Sequence, residues 1–597
     1  MVKHMDEFDN ITELISNIDY KKCTNTIYKN ITLLTNEEQN LILQELELLN
    51  NLFSEYNLVT LEEIISYLEP KMSKLKNLNG FDLLYRIHEI AGKGCLSTNL
   101  GIFNLINYFF EKKFTSNKNL EILVSQGHIA PSFYVARYIN YYFPISFLFT
   151  LNSGVLPGVV TRKWGFNNSL NRPLGIGLNY CVGKCISSSK SFICIIGDGE
   201  FQEGITFEAL SLINLLKLPI LIILNINQYG IDNIPDNINY DFFFKSLNFN
   251  VYSINDNNLN QISNIISNFE LNKTPSVILL ETKKGINTLT KNKSKNYYSQ
   301  VTKHSYVKET SAINISGTKI LGKFLMNKIN SIKHIILSPD MRERFSLEKD
   351  LVKFINTGMR ENSSLSLLLG FERDVKKIVC TDDQFLMYSL GAIEQNLIGN
   401  IKNLLIIASK DWGIWNSSNY FINMLICFEG FLFFEPVFEK EIENILDFYI
   451  KEEKNIVISI FNAPLLKEEE IFSTLSLFNI NNVLVLKNKK AVILYGYSGK
   501  YINLLLNDLK YFDIFYINSF PIIQSEIEKL KIYETIFTIE FNRQNNGIGQ
   551  YLSKLLYNIK FYHLGADNNF IFDKFDNQLS NQKLDYDSVV KFLMENK

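Results

Sequence analysis

Asp198 and Asn227 stand 29 positions apart, and each closes an apolar run. Phe192 to Ile196 leads into Gly197-Asp198-Gly199-Glu200, and Pro219 to Leu224 leads into Asn225, Ile226 and Asn227, with Tyr229 just beyond. An aspartate carboxylate and an asparagine carbonyl are hard oxygen ligands. They suit Mg²⁺ that keeps substrate phosphates in its own shell. Glycines on either side of the aspartate let backbone approach a diphosphate closely. The spacing therefore predicts a Mg²⁺–diphosphate site.

Two strands and a helix have to hold it. Each apolar run is short enough for a buried strand, and Phe207 to Leu218 between them predicts a helix, so the unit reads as a parallel strand–helix–strand with polar residues at both carboxyl ends. Ligands of open α/β sheets bind at such ends.

The surrounding text carries a family resemblance. A Gly-Asp-Gly with an Asn about thirty residues on resembles the thiamine diphosphate signature of the transketolase superfamily. The stretch GDGEFQEG (197–204) is similar to transketolases, while FEAL (207–210) and LNINQ (224–228) are similar to 1-deoxyxylulose-5-phosphate synthases. The resemblance implies thiamine diphosphate and Mg²⁺ as cofactors. It assigns Gly197, Asp198, Gly199, Glu200 and Asn227 to cofactor binding, and Asp198, Asn227 and Tyr229 to the metal.

Further matches extend the site. NTGMREN (356–362) resembles the family's N-x-G-I-x-E-Q motif and makes Glu361 the carboxylate that activates the cofactor. A carboxylate can share a proton with a ring nitrogen, as an acid–base partner must; without the other motifs, Glu361 would read as a solvent-facing helix glutamate. FLMY (385–388) resembles the aromatic segment that stacks on the pyrimidine, with Phe385 and Tyr388 as its rings; core packing is the alternative use of such aromatics. SQGHIAP (125–131) places His128 near cofactor and substrate, and TKHS (302–305) aligns His304 with a second family histidine. PLGIGL (173–178) resembles the helix start that backs the diphosphate, through Gly175.

Three departures stand out. The family's early G-H-x-G appears as KGCLS (93–97), with Cys95 at the histidine. Its G-H-P appears as SGVLPG (153–158). Its D-G-P-T-H loop appears as DWGIWNSS (411–418), where Trp412 and Trp415 would make a more apolar lining. Histidine is the side chain best suited to moving protons near neutral pH, so the substrate half of the site differs from the family's.

Length allows roughly three or four domains of ~150 residues. The expected fold class is α/β, in three consecutive α/β domains behind a helical extension. The expected domains are 1–78 helical, 79–310 diphosphate-binding, 316–465 pyrimidine-binding and 485–597 similar to the transketolase C-terminal domain. With 46% hydrophobic and 20% charged residues and a net charge of −2, there is no electrostatic case for nucleic acid or membrane partners. No apolar run approaches the ~20 residues of a membrane span. The seven cysteines form no C-x-x-C pair, and a reducing cytoplasm is expected.

The function expected from the resemblance is transfer of a two-carbon ketol or acyl unit from a ketose phosphate or 2-oxo acid donor to an aldehyde acceptor. The alternatives are a deoxyxylulose phosphate synthase, a 2-oxo acid decarboxylase like the first component of pyruvate dehydrogenase, or a homologue that keeps the cofactor only as structure. A homodimer with inter-subunit active sites is implied in each case.

Overall fold

The computed structural model describes residues 34–55, 61–72, 79–92, 94–112, 114, 119–141, 143–153, 156–160, 174–188, 190–227, 238–255, 258–282, 316–347, 353–410, 430–467, 476–544, 547–566 and 579–596. Packing divides the chain into two units, Met1–Tyr306 and Val307–Lys597.

The first unit opens with helices α1 (Asn36–Glu55), α2 (Leu61–Leu68), α3 (Gly80–Ala91) and α4 (Leu96–Glu111). Asn79 caps α3 by accepting from the Asp82 N–H at 3.0 Å, and Gly92, at φ 68°, ends it in the left-handed region that favours glycine. The amino-terminal helices are not a free arm. Ile42, Leu46, Leu49, Ile64 and Leu68 enter the same core as Phe109, Phe147 and Ile195. Glu45, fully buried, accepts from the backbone N–H groups of Ile145 and Ser146 at 3.1 and 2.7 Å.

Strands β1 (Leu120–Val124), β2 (Ser191–Gly197), β3 (Ile220–Ile226), β4 (Asn250–Asn255) and β5 (Ser276–Glu281) form an all-parallel sheet in the order β1-β2-β3-β5-β4. Helices α5 (Ala130–Asn140), α6 (Ile145–Leu148), α7 (Ile176–Ser187), α8 (Asp198–Phe201), α9 (Gly204–Leu216), α10 (Tyr240–Ser246) and α11 (Leu259–Asn272) connect and cover it. Cover on both faces explains the unbroken apolar text of β2 and β3, since alternation would put polar side chains into a core. Helix α9 begins earlier than the sequence expectation of Phe207 and stops before Leu218, because Lys217, at φ 51°, caps it in the left-handed region.

The second unit contains two sheets. The seven-stranded one runs β15-β10-β11-β9-β8-β6-β7, from β6 (His334–Ser338), β7 (Phe354–Asn356), β8 (Lys376–Asp382), β9 (Leu404–Lys410), β10 (Phe431–Phe434), β11 (Asn455–Phe461) and the two-residue β15 (Ser519–Phe520). All its pairs are parallel except β10 with β15. The five-stranded sheet runs β12-β14-β13-β16-β17, from β12 (Asn481–Leu484), β13 (Lys490–Tyr495), β14 (Asp513–Ile517), β16 (Thr535–Arg543) and β17 (Lys560–Ala566), antiparallel only at β12. Helices α12 (Gly317–Ile329), α13 (Glu361–Leu369), α14 (Leu390–Ile398), α15 (Glu439–Lys451), α16 (Ile502–Asp508), α17 (Gln524–Lys529), α18 (Ile548–Leu555) and α19 (Tyr586–Glu595) complete it. One core joins the sheets, with Ile406, Val457, Ile493 and Phe515 among its members. The chain is thus α/β throughout, with three mostly parallel sheets. No described helix is long and apolar enough to cross a membrane.

Candidate functional site

Register brings the signature together. Gly197, the last residue of β2, pairs with Asn225 of β3, so Asp198 and Asn227 emerge side by side at the carboxyl edge. Asp198 Oδ1 accepts from the Gly199 N–H at 2.9 Å, and Oδ2 accepts from the Asn227 N–H at 2.8 Å. Both residues are buried, at 5% and 8% exposure. The carboxylate is therefore fixed by backbone before any ligand arrives, with Asn227 just past the end of the adjoining strand.

Glu200 forms a second fixed carboxylate. Its Oε1 accepts from the Ser125 hydroxyl and, at 3.1 Å, from the Gly175 N–H. Its Oε2 has no hydrogen-bond partner among the described residues. Burial raises the pKa of this carboxyl to about 7, against the lowering pull of the Ser125 hydroxyl and the Gly175 and Gly197 amides. Gly175 has φ 82°, and a Cβ there would lie 2.6 Å from Ile205 Cγ2 and 2.9 Å from Thr206 Oγ1. Only glycine fits this turn into α7.

Sequence reasoning missed the polar row beneath these residues. Asn225 donates to Gln126 Oε1 at 3.0 Å and accepts from the Thr282 hydroxyl at 2.6 Å, tying the ends of β1, β3 and β5 together. Gln126 also packs against Gly197, where a Cβ would come within 3.0 Å of its Nε2. The available signal was position: each of these residues directly follows, or nearly closes, an apolar run. His128 sits half-buried in the turn Gly127–Ile129 after β1. Its carbonyl accepts from Asn99 Nδ2 at 2.9 Å, and its ring Nε2 lies 3.5 Å from Gln126 Nε2. Cys95, where the family motif has histidine, is buried at the start of α4.

Other predicted residues lie in the second unit. Glu361 is the first residue of α13 and is 5% exposed. The Ser389 hydroxyl donates to its carbonyl at 3.1 Å. The 3₁₀ turn Asp383–Ser389 carries both aromatic candidates. Leu386 of this turn joins the core, whereas Phe385 and Tyr388 remain half-buried outside it. Spacing of three residues in a 3₁₀ helix stacks them on one side. The turn starts beside two adjacent buried acids. Asp382 faces Arg344 Nη2 at 3.5 Å, and the Asp383 carboxyl is pushed up by burial and then by Asp382. Tyr229, His304, Trp412 and Trp415 lie outside the described residues.

These residues fit thiamine diphosphate with a divalent ion. Two oxygen donors stand at the carboxyl edge, a cradle beside them excludes any side chain at Gly175, and a buried glutamate oxygen there has no hydrogen-bond partner among the described residues.

The family description "Transketolase, thiamine diphosphate binding domain" matches residues 180–314. The 6-deoxy-6-sulfo-D-fructose transketolase subunit SqwG of Clostridium sp. (strain MSTE9) is 30% identical over 179 residues, covering 28% of this chain and 65% of the relative. The human transketolase is 27% identical over 186 residues, covering 28% and 30%. These matches therefore span less than two thirds of either relative. Among solved structures, the transketolase of Campylobacter jejuni aligns over 86% of this chain and 98% of its own, at 16% identity and a TM-score of 0.43. The segment that carries the signature residues gathered at one sheet edge is thus similar, over residues 180–314, to the thiamine diphosphate binding domain of transketolases.

Proposed function

We propose that the protein is a thiamine diphosphate- and Mg²⁺-dependent transferase that moves a two-carbon ketol unit from a ketose phosphate to an aldehyde acceptor. The observation that carries the reading is the Asp198 carboxylate, held by two backbone N–H groups at 2.9 and 2.8 Å beside Asn227. Asp198 and Asn227, with the backbone of Tyr229, would hold Mg²⁺, and α7 would offer its first N–H groups to the diphosphate. When bound, thiamine diphosphate supplies a nucleophilic thiazolium carbon.

This chain's residues supply the rest. Glu361 would share a proton with the aminopyrimidine, while Phe385 and Tyr388 would offer ring faces to it. Glu200, whose carboxyl burial raises to about 7, can donate or accept at Oε2. His128, in the turn after β1, would hold a substrate proton. A homodimer completes each site in this reading.

Calorimetric titration of the full chain with thiamine diphosphate, with and without Mg²⁺, tests it. Binding that requires Mg²⁺ supports the reading, and no binding overturns it. Exchange of the cofactor C2 proton then separates an enzyme from a homologue that keeps the cofactor as structure, since only catalysis needs fast exchange. A 2-oxo acid donor is the competing substrate reading, favoured by the absence of imidazole at Cys95 and at 153–158. Turnover of xylulose 5-phosphate against pyruvate, with glyceraldehyde 3-phosphate as acceptor, separates the two.

A further inference from the structure

His88, on α3, is 1% exposed. Its Nδ1 lies 2.7 Å from the Leu84 carbonyl, one turn back on the same helix. A carbonyl only accepts, so Nδ1 carries the proton and Nε2 presents a lone pair. Burial lowers the pKa to about 4, keeping the ring neutral at ordinary pH. Nε2 has no hydrogen-bond partner among the described residues. Leaving a buried acceptor unsatisfied is costly, and such an atom in a native protein calls for an explanation.

What the ring edge faces supplies one. Gly94 has φ +149°, and a Cβ there would lie 2.7 Å from His88 Cδ2, 3.2 Å from Nε2 and 3.7 Å from Asn152 Nδ2. Asn152 Oδ1 accepts from the Gly158 N–H at 2.9 Å. The Val160 N–H in turn donates to the Gly127 carbonyl at 2.8 Å. Asn99 Nδ2 bonds both the Cys95 carbonyl and the His128 carbonyl at 2.9 Å. The Nε2 edge of His88 therefore faces Gly94, with Asn152 beside that glycine, and the segments 94–99 and 156–160 are both fastened to the turn Gly127–Ile129 at the carboxyl end of β1. Around Cys95 and in SGVLPG (153–158) the resembling family motifs carry a histidine and this sequence has none. His334 provides the contrast. Its Nδ1 likewise contacts a carbonyl, Ile332 at 2.8 Å, and its Nε2 is unpartnered, but it starts β6 at the amino end of that strand.

We infer that His88 Nε2 is a specificity-determining acceptor, placed by α3 to take a hydrogen bond from a hydroxyl of the donor substrate. The inference rests on the thiamine diphosphate reading above and names its substrate class. An acceptor-only nitrogen favours a polyhydroxylated ketose. It gains nothing from pyruvate, whose carboxylate and carbonyl carry no donor.

The test compares full-length wild type, H88F and H88Q at saturating Mg²⁺. Thiamine diphosphate affinity is measured first, then KM and kcat for xylulose 5-phosphate with glyceraldehyde 3-phosphate, then the affinity for pyruvate. H88F should raise KM for xylulose 5-phosphate tenfold or more with kcat changed less than twofold. Cofactor and pyruvate affinities should not move, and H88Q, whose amide oxygen still accepts, should recover most of the loss. In wild-type protein labelled with ¹⁵N-histidine, the His88 Nε2 resonance should shift on saturation with xylulose 5-phosphate, a readout that needs no variant to fold. An unshifted resonance, an unchanged KM, or equal losses for sugar, pyruvate and cofactor overturns the assignment. A wild type that binds no thiamine diphosphate refutes instead the reading of the site itself.

Discussion

Replacing Glu435 by Gln tests how the two sheets of the second unit are held together. Lys410 ends β9 and Glu435 follows β10, and their side chains are 0% and 1% exposed. The Lys410 ammonium lies 3.0 Å from Glu435 Oε2 and also donates to Asn542 Oδ1, with the Phe461 ring centre 4.9 Å away. Glu435 accepts further from the Tyr497 N–H at 3.0 Å and from Asn542 Nδ2 at 3.2 Å. Lys410 and Glu435 belong to the seven-stranded sheet, whereas Asn542 and Tyr497 belong to the five-stranded sheet and the turn after β13. In Glu435→Gln the ammonium keeps the Asn542 amide oxygen and a ring face but loses its counter-charge at a position closed to solvent. Breaking a buried pair in this way costs about 3–5 kcal/mol. Lys410→Met should cost less, about 1–3 kcal/mol, because the carboxylate keeps two N–H donors. The double variant leaves neither charge stranded and should fall short of the sum of the singles by about 1.5 kcal/mol or more. Urea unfolding of the full chain, followed by far-ultraviolet circular dichroism at neutral pH, measures all three. A Glu435→Gln cost under about 1 kcal/mol, or strict additivity, would refute the view that this pair couples the sheets.

Other consequences are as direct. Asp198→Asn turns one fixed oxygen into an N–H₂ group facing a backbone N–H, so Mg²⁺-dependent binding of thiamine diphosphate should weaken at least about a hundredfold, roughly 3 kcal/mol, by calorimetry. Burial raises the carboxyls of Glu441 and Glu540 to about 7. Their protonated forms therefore stabilise the fold fully below the unfolded value near 4.5, and that stability is lost as pH rises through 7. Going from pH 8 to 6 should add about 1.4 kcal/mol per group, and Glu540→Gln should flatten the urea-midpoint profile by its share. Gly175→Ala must place a methyl 2.6 Å from Ile205 Cγ2 at φ 82°, and should cost about 2 kcal/mol or more and lower cofactor affinity, read by thermal melts with and without thiamine diphosphate. Glu361→Ala should abolish turnover while leaving cofactor binding within a few fold, checked on one preparation by activity and calorimetry.

Much was written in the chain itself. Buried parallel strands must be continuously apolar, so the runs ending at Ile196, Leu224 and Ala408 announced themselves, and a polar residue straight after such a run falls at a ligand-binding edge. Asp198, Asn227 and Glu200 were legible for that reason. The short strands β7 and β15 were not, because two or three residues carry no period to read.

Tertiary structure decided what depends on register and on distant partners. Pairing of Gly197 with Asn225 turned two residues 29 positions apart into one clamp. A contact spanning 99 positions made Gln126 and Asn225 part of the same floor. Glu45 became a buried anchor rather than a surface charge only because α6 offers it two N–H groups. His88 is plain in sequence, one histidine in an amphipathic helix. Its tautomer comes from Leu84, and its open nitrogen from a glycine at 94 that no local rule ties to it. Residue types and their spacing fix which chemistry a chain can perform. Which side chains meet is settled by packing, because hydrogen bonds and burial act through space and take no account of separation along the chain.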